Sequence, residues 1–261
     1  MALCPRTIFI MGNKMKKPLV VLATSVFWLA VWWILSGWIG QEILLPSPWV
    51  VFLTVCRLCR TAAFWQAVGV SLWRVLSGFV AAVVAGALLA VATCRFRLLH
   101  TVCSPLLHVV QAAPVASFII LAYFWIRLDV LPAFIAFLMV LPMVWANVAE
   151  GIRQTDRRLL EMAKVYRLGF WRTVRHVWVP SVRPYFLTAC TTGLGFAWKS
   201  GIAAEVICSP ARAIGSSLGD AKAYLQMPEV FAWTVTVVLL SVLLERGLVW
   251  LVYRHKQEVT P

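Results

Sequence analysis

Six long stretches of the chain are almost entirely apolar, and shorter polar segments separate them. The six stretches are residues 18–38, 71–93, 105–126, 130–149, 185–207 and 231–253. Each has close to the roughly 20 apolar residues that a helix needs to cross the hydrocarbon core of a bilayer. A helix pairs its own backbone groups, whereas an open sheet would leave groups unpaired in lipid. The pattern therefore predicts an all-α membrane protein with six transmembrane helices.

Composition agrees with this class. Hydrophobic residues make up 62% of the 261 residues, charged residues make up 13%, and the mean hydropathy is +0.85. A soluble domain has about 25% charged residues. We expect one transmembrane domain over residues 18–254, with cytoplasmic tails at 1–17 and 255–261. Met11 and Met15 are alternatives to Met1 as the start.

The distribution of Lys and Arg predicts the orientation. If the N-terminus is cytoplasmic, most of the 24 Lys and Arg residues lie on the cytoplasmic side, many of them in the loop 151–184. The basic residues predicted on the other side are Arg57, Arg60, Arg74, Arg127, Arg212 and Lys222. This asymmetry follows the positive-inside rule and places both termini in the cytoplasm. The net charge of +14 thus reflects topology, and we expect no nucleic-acid binding, because basic and aromatic residues do not alternate on one face.

Cysteines and acidic residues indicate neither a metal site nor a catalytic centre. The seven cysteines are scattered in or beside apolar stretches, and an odd number argues against a disulfide framework. Cys56 and Cys59 form a C-x-x-C pair without a second pair or a suitably spaced His. The acidic residues are dispersed, with no paired-carboxylate motif. We therefore expect no metal, no cofactor and no enzyme activity.

The longest polar interruption is the loop 151–184. It predicts two helices, 156–168 and 170–179, with Gly169 as the break and Pro180 as the stop. Apolar residues expected on the buried faces are Leu159, Leu160, Ala163, Tyr166, Val174, Val177 and Trp178. Basic residues on the opposite faces are Arg157, Lys164, Arg167, Arg172 and Arg175. The loop is either a positively charged segment folded against the membrane or a lever that fits a groove on a cytoplasmic motor.

Residues 161–180 resemble the EAA loop of ABC importer permeases. The pattern is E-A-A, a glycine a few residues later and then I-x-L-P, and it is kept by Glu161, Ala163, Val177, Val179 and Pro180. Arg167 stands where the glycine is usual, and Gly169 follows two residues later, so the bend is expected to be shifted or differently shaped. The resemblance implies an ATPase-coupling loop that includes Glu161, Ala163, Arg167, Gly169, Val177 and Pro180.

The resemblance extends over residues 45–247. A "PSP" followed by S-L-x-R-V-x-x-G, here Ser71 to Gly78, and the segment GFAWKSGIAAEVI resemble the nitrate, sulfonate and taurine branch of these permeases. The implied fold is that of a type I ABC importer permease in a bacterial inner membrane. The implied partners are ABC ATPase subunits in the cytoplasm, a second permease, either another copy in a homodimer or a related chain, and an extracytoplasmic solute-binding protein. The chain has no phosphate-binding loop of its own, so it must use a partner's ATP hydrolysis.

Charged and polar residues inside the predicted spans are candidates for the translocation pathway. Lys199 and Glu205 lie about 120° apart on a helix, and we expect each to have its own partner. His108 and Gln111, with Ser104, form a polar stripe before a possible kink at Pro114. Each of these residues either lines the pathway or packs within the bundle.

Ridges of small residues on the second and fifth spans are interpreted as helix packing. The second-span ridge is Gly78, Ala82, Gly86 and Ala90. The fifth-span ridge is Ala189, Gly193, Ala197 and Gly201, and it ends at Glu205.

An ion-coupled secondary transporter or channel is the alternative function, although no inverted repeat is visible. Nitrate, alkanesulfonates, taurine and pyrimidine-type precursors all fit as substrates of the resembled branch.

Overall fold

The chain is helical along almost its whole described length. The computed structural model describes the backbone of residues 16–257 and the side chains of residues 23–250, and no strand occurs in that part. The helices are α1 (Lys16–Ile39), α2 (Pro48–Leu58), α3 (Ala62–Arg95), α4 (Arg97–Ala112), α5 (Val115–Tyr123), α6 (Leu131–Arg153), α7 (Arg157–Val165), α8 (Phe170–Thr173), α9 (Val179–Cys208), α10 (Ile214–Ala223) and α11 (Met227–Gln257). A π-helical segment, Val174–Trp178, joins α8 to α9. The all-α prediction is confirmed.

Within the described residues, three helices are long and apolar enough to cross a membrane by themselves. They are α3, α6 and the Met227–Trp250 part of α11, and the α4–α5 pair qualifies as a fourth if it counts as one span. The described apolar part of α1, Ala23–Ile39, is shorter. Helix α9 has 30 residues, but its threonines, glycines and three charged residues make it less apolar. Six crossings therefore remain a prediction.

The third predicted span is not one continuous helix. The expected kink near Pro114 is a complete break, and α4 and α5 are bent by 103°. Proline disfavours the helical conformation of the residue before it, and Ala113 is extended, with φ −81° and ψ 144°. Helix α5 then starts again, with Ser117 N–H donating to the Pro114 carbonyl at 3.1 Å. The bent pair is therefore a broken span or a re-entrant segment.

Helix α6 is the centre of the bundle, packed on α3 along one side and on α9 along the other. Glycines allow α3 to approach α6 closely, and α9 to approach α3. A Cβ on Gly78 would collide with the Ala133 backbone of α6, and a Cβ on Gly201 would lie 2.5 Å from Val75 Cγ2 of α3. Both small-residue ridges are buried. The packing interpretation of these ridges is confirmed.

The bundle has two distinguishable ends. We call the end that holds the α3–α4 junction, the C-terminus of α6 and residues 153–180 the hairpin end. The opposite end holds the start of α3, the α5–α6 loop, α10 and the start of α11. Residues 153–180 are called the hairpin below.

Helix α1 has few intramolecular contacts. It touches α2, and Trp32 stacks on Phe231 of α11 with ring centroids 5.8 Å apart. Trp28, Trp33 and Trp38 are exposed, Trp38 by 86%. A large apolar surface thus remains for lipid or another protein to cover.

Candidate functional site

The first helix of the hairpin is defined by two local capping structures. The Asp156 carboxylate accepts a hydrogen bond from Arg158 N–H at 2.8 Å, so α7 begins at Arg157. At the other end Leu168 N–H donates to the Ala163 carbonyl at 2.9 Å, and Arg167 N–H donates to the Lys164 carbonyl at 3.0 Å. This pair of bonds is a Schellman motif, which needs a left-handed residue after the helix.

Arg167 is that left-handed residue. Its φ is +45°, whereas Gly169 has φ −63° and open space where a Cβ would point. The prediction that Gly169 makes the break was therefore wrong. The bend stays at the usual glycine position of the EAA pattern, and Arg167 adopts there a conformation that costs a non-glycine residue about 1–2 kcal/mol.

The second half of the hairpin does not stop at Pro180. Helix α8, the π-helical segment and α9 run on as one helical rod from Phe170 to Cys208, which corrects the predicted stop. Proline lacks an N–H and its ring clashes with the carbonyl four residues back in an α-helix. Here Val179 N–H donates to the Val174 carbonyl, five residues back, and the wider π turn admits Pro180.

The hairpin presents a mixed apolar and basic surface. Ala163 and Val177 are buried, while Glu161, Gly169 and Pro180 are exposed. Tyr166 was expected on the buried face, but it is 73% exposed because the chain already turns at this cap of α7. Exposed apolar side chains around it are Met162, Val165, Phe170 and Trp171, and the exposed cations are Arg157, Arg158, Lys164, Arg167, Arg172 and Arg175. Such an amphipathic patch is typical of a protein interface.

A second cluster surrounds Glu205 at the opposite end. Glu205 is fully buried, and its Oε2 accepts hydrogen bonds from Ser71 Oγ at 2.7 Å and from Gly215 N–H at 3.2 Å. Ser71 Oγ in turn accepts from Ile214 N–H at 3.0 Å. Glu205 and Ser71 thus bind the first N–H groups of α10, where the helix dipole favours a negative charge.

Arg74 connects this cluster to the α5–α6 loop. Its Nη2 lies 2.7 Å from Asp129 Oδ1, its Nη1 lies 3.9 Å from Glu205 Oε1, and both nitrogens lie 3.4 Å from the Ala211 carbonyl. Glu205 Oε1 has no hydrogen-bond partner among the described residues. Four segments therefore meet at the Arg74 guanidinium. They are α3, the α5–α6 loop, α9 and the α9–α10 connection.

The sequence analysis missed Asp129 and Gly215 in this cluster. Asp129 is the only acidic residue between the third and fourth apolar stretches, which was an available signal. For Gly215 the reason is steric, because a Cβ would collide with the Glu205 side chain and lie 2.5 Å from its carbonyl carbon. Close approach of α10 to α9 is not visible in sequence spacing.

Lys199 lies on a different face of α9 from the buried Glu205. Its side chain is exposed on a stripe with Thr188, Thr192 and Phe196, and it has no ion pair within the described side chains. We expected an ion-pair partner for Lys199, but none occurs among the described side chains. Glu245 of α11 approaches this face one turn away, since a Cβ on Gly195 would lie 2.7 Å from Glu245 Oε1.

His108 and Gln111 are both exposed on α4. The His108 ring meets Trp145 edge-on, with centroids 6.1 Å apart. Trp145 Nε1 donates to Thr93 Oγ1 at 2.9 Å, so the ring that His108 contacts is held in place. No group of three or more metal-ligating side chains occurs among the described residues.

Comparison with known proteins gives concordant matches. A family model described as "Binding-protein-dependent transport system inner membrane component" matches residues 82–257. The chain is 30% identical over 237 residues to the "Putative aliphatic sulfonates transport permease protein SsuC" of Escherichia coli K12, covering 88% of this chain and 89% of that protein. It is 27% identical over 252 residues to the "Bicarbonate transport system permease protein CmpB" of Synechococcus elongatus, covering 92% and 90%.

Solved structures support the same fold. An inward-facing structure of the MetNI methionine ABC transporter aligns with a TM-score of 0.55 over 76% of this chain and 94% of that chain, at 17% identity. A second crystal form of that transporter aligns with the same TM-score over 83% of this chain and 99% of that chain. At this level of identity the likeness concerns the fold alone.

Proposed function

The chain belongs to the binding-protein-dependent transport system inner membrane components, and we propose that it forms the membrane pathway through which an ABC importer moves a small anionic solute. The observation that carries this proposal is the hairpin, whose exposed aromatic and basic side chains form a surface typical of a protein interface. We propose that this surface binds an ABC ATPase subunit.

The hairpin end is proposed to face the cytoplasm of a bacterial cell, with both termini on that side of the inner membrane. The support is the distribution of charge. Arg95, Arg97 and Arg153 lie at this end together with the basic residues of the hairpin, and cytoplasmic segments carry an excess of Lys and Arg. The six-span count belongs to this proposal, since an even number of crossings returns the chain to the same side.

A second copy of the chain is proposed to complete the pathway. The support is the exposed aromatic surface of α1, together with the exposed polar stripe of α9 that holds Thr192 and Lys199. In one copy this stripe has no described helix over it, and a second bundle would enclose it. An extracytoplasmic solute-binding protein is proposed to deliver substrate at the opposite end.

The substrate is proposed to carry a negative group that Lys199 attracts. An unpaired cation in a transmembrane helix is costly and usually faces a cavity or a ligand. The relatives are named for sulfonates and bicarbonate, which are both anions. Glu245 near Gly195 adds a negative group to the same face, so a substrate with an additional positive group also fits.

The coupling role is tested by co-expression and co-purification with a candidate ABC ATPase subunit. Glu161→Lys reverses the exposed acidic residue of α7 and is expected to abolish ATPase capture and ATP-driven uptake, because the change alters the charge of the docking surface. Glu42→Lys is the matched control, since Glu42 is exposed at the opposite end. Capture of the ATPase by both variants at wild-type yield would contradict the docking role.

The substrate proposal has its own test in proteoliposomes that contain the whole complex. Lys199→Gln is expected to lower uptake at least tenfold while leaving ATPase capture intact, whereas Lys199→Arg keeps the charge and should retain most uptake. The control is Lys222→Gln, which removes an exposed charge from α10. Equal uptake by Lys199→Gln and the wild type would exclude Lys199 from the pathway.

A further inference from the structure

A strongly basic pocket lies at the hairpin end, and it shares Arg153 with the hairpin but none of the exposed apolar and basic side chains at residues 157–175. Its volume is about 330 Å³, and its lining residues are Thr93, Cys94, Arg95, Arg97, His100, Ile152 and Arg153. None of these described lining residues is acidic. Glu150, one turn before Arg153, instead accepts a hydrogen bond from Gln154 Nε2 at 2.7 Å. Three guanidinium groups therefore share a small pocket without a described counter-charge.

One wall of the pocket is held in place by hydrogen bonds. Arg153 Nη2 lies 2.7 Å from His100 Nε2, and because a guanidinium can only donate, the imidazole nitrogen accepts this hydrogen bond. The His100 ring also lies 6.1 Å from Trp145, which is fixed through Thr93. Arg153 is thus oriented by the His100 ring.

The other wall is the junction of α3 and α4. Arg95 ends α3, Arg97 begins α4, and no side chain caps the first turn of α4. Arg95 also lies over the Phe96 ring, with 5.7 Å from Cζ to the ring centroid. Guanidinium groups match phosphate oxygens geometrically and bind them through paired hydrogen bonds.

We propose that this pocket binds the phosphate of an anionic membrane lipid, such as phosphatidylglycerol. The observation that favours a lipid over a soluble phosphate is the surface beside the pocket, where Phe96, Leu98 and Val102 are 60%, 79% and 66% exposed. The headgroup phosphate would sit among the arginines while the acyl chains lie along these side chains. The site joins α3, α4 and α6, so an occupied pocket ties the broken α4–α5 segment to the central helices.

The test is native mass spectrometry of the purified complex, released from nanodiscs that contain phosphatidylcholine and phosphatidylglycerol. The double variant Arg97→Gln/Arg153→Gln is expected to lose one retained phosphatidylglycerol per chain, with at least tenfold weaker retention. Arg57→Gln/Arg60→Gln is the matched control, because it removes two exposed charges from the other end and should retain the lipid. His100→Ala is expected to give an intermediate loss, since it leaves the positive charges but frees Arg153.

Two results would overturn the proposal. The first is equal retention of phosphatidylglycerol by the double variant and the control, with both complexes intact. The second is displacement of the retained lipid by millimolar inorganic phosphate or ATP in the wild type, which would assign the pocket to a soluble phosphate. Neither result depends on transport, so failure here is distinguishable from failure of the importer assignment, which ATPase capture measures.

Discussion

Removing the charge of Glu205 is expected to destabilise the bundle far more than removing the charge of Asp129, although both carboxylates face Arg74. The difference follows from burial. Glu205 is fully buried and holds Ser71 and Gly215, whereas the Asp129 side chain is 59% exposed. A hydrogen bond to a charged group contributes about 1.5–3 kcal/mol, and an exposed ion pair contributes about 0–1 kcal/mol.

The magnitude for each variant can be worked out from these contacts. Glu205→Ala leaves the Ser71 hydroxyl and the Gly215 N–H without their acceptor and Arg74 without its buried counter-charge, which together cost about 3–5 kcal/mol. Glu205→Gln keeps one acceptor oxygen but turns an amide toward Arg74, at a cost of about 1–3 kcal/mol. Asp129→Asn is expected to cost less than about 1 kcal/mol.

The assay is reversible unfolding in mixed detergent and SDS micelles, followed by tryptophan fluorescence. A double-mutant cycle of Glu205→Gln with Arg74→Gln measures their coupling separately from the contacts of Arg74 with Asp129 and the Ala211 carbonyl. A coupling energy near zero, or an Asp129→Asn effect as large as that of Glu205→Gln, would refute this account. The role of Glu205 in the pathway is a separate matter, which uptake by stable Glu205→Gln complexes measures.

Two further predictions concern single backbone positions, and the same unfolding assay measures both. Arg167→Gly should stabilise the hairpin by about 0.5–1 kcal/mol, because the left-handed backbone strain that it removes exceeds the cost of the extra unfolded-state entropy of glycine. Gly169→Ala should change the stability little, because a Cβ there meets open space. A loss of stability in Arg167→Gly would contradict the assignment of the bend to that residue. Gly78→Ala should cost about 1–3 kcal/mol by forcing α3 away from the Ala133 backbone, while Gly247→Ala, which has open space, should be neutral or stabilising. Equal effects of these two substitutions would refute the close packing of α3 on α6.

Sequence reasoning succeeded where a local pattern fixes the structure. Long apolar stretches demand helices in lipid, and small residues at every fourth position demand close helix packing, as Gly78 and Gly201 show. Local chemistry also fixes the start of α7 after Asp156 and the position of the helix break at Pro114. In each case the residues that decide the structure are neighbours in sequence.

Sequence reasoning failed where contacts between distant residues, or competing local conformational preferences, decide the structure. Arg167 adopts the left-handed conformation although Gly169 is available, because the Schellman bonds of α7 fix the turn at 167. Asp129 meets Arg74 only after the α5–α6 loop has folded over α3, so the sequence shows Asp129 as an isolated acidic residue but does not show that Arg74 is its partner. The magnitude of the 103° bend at Pro114 is likewise set by packing, since proline interrupts a helix without dictating the angle.

The continuous rod from α8 to α9 has a mechanical consequence. At 1.5 Å per residue, a helix from Phe170 to Cys208 is roughly 58 Å long, which exceeds the thickness of a bilayer with its headgroups. One end of this rod lies in the hairpin surface, and the other ends one turn beyond Glu205 and the Arg74 cluster. A tilt of 5° about the hairpin would displace the far end by about 5 Å, more than the 3.9 Å that separates Arg74 from Glu205. The π-helical segment lies just before Pro180, which has no N–H to donate to the helix. Bending at this segment determines how much of such a tilt reaches the far end of the rod.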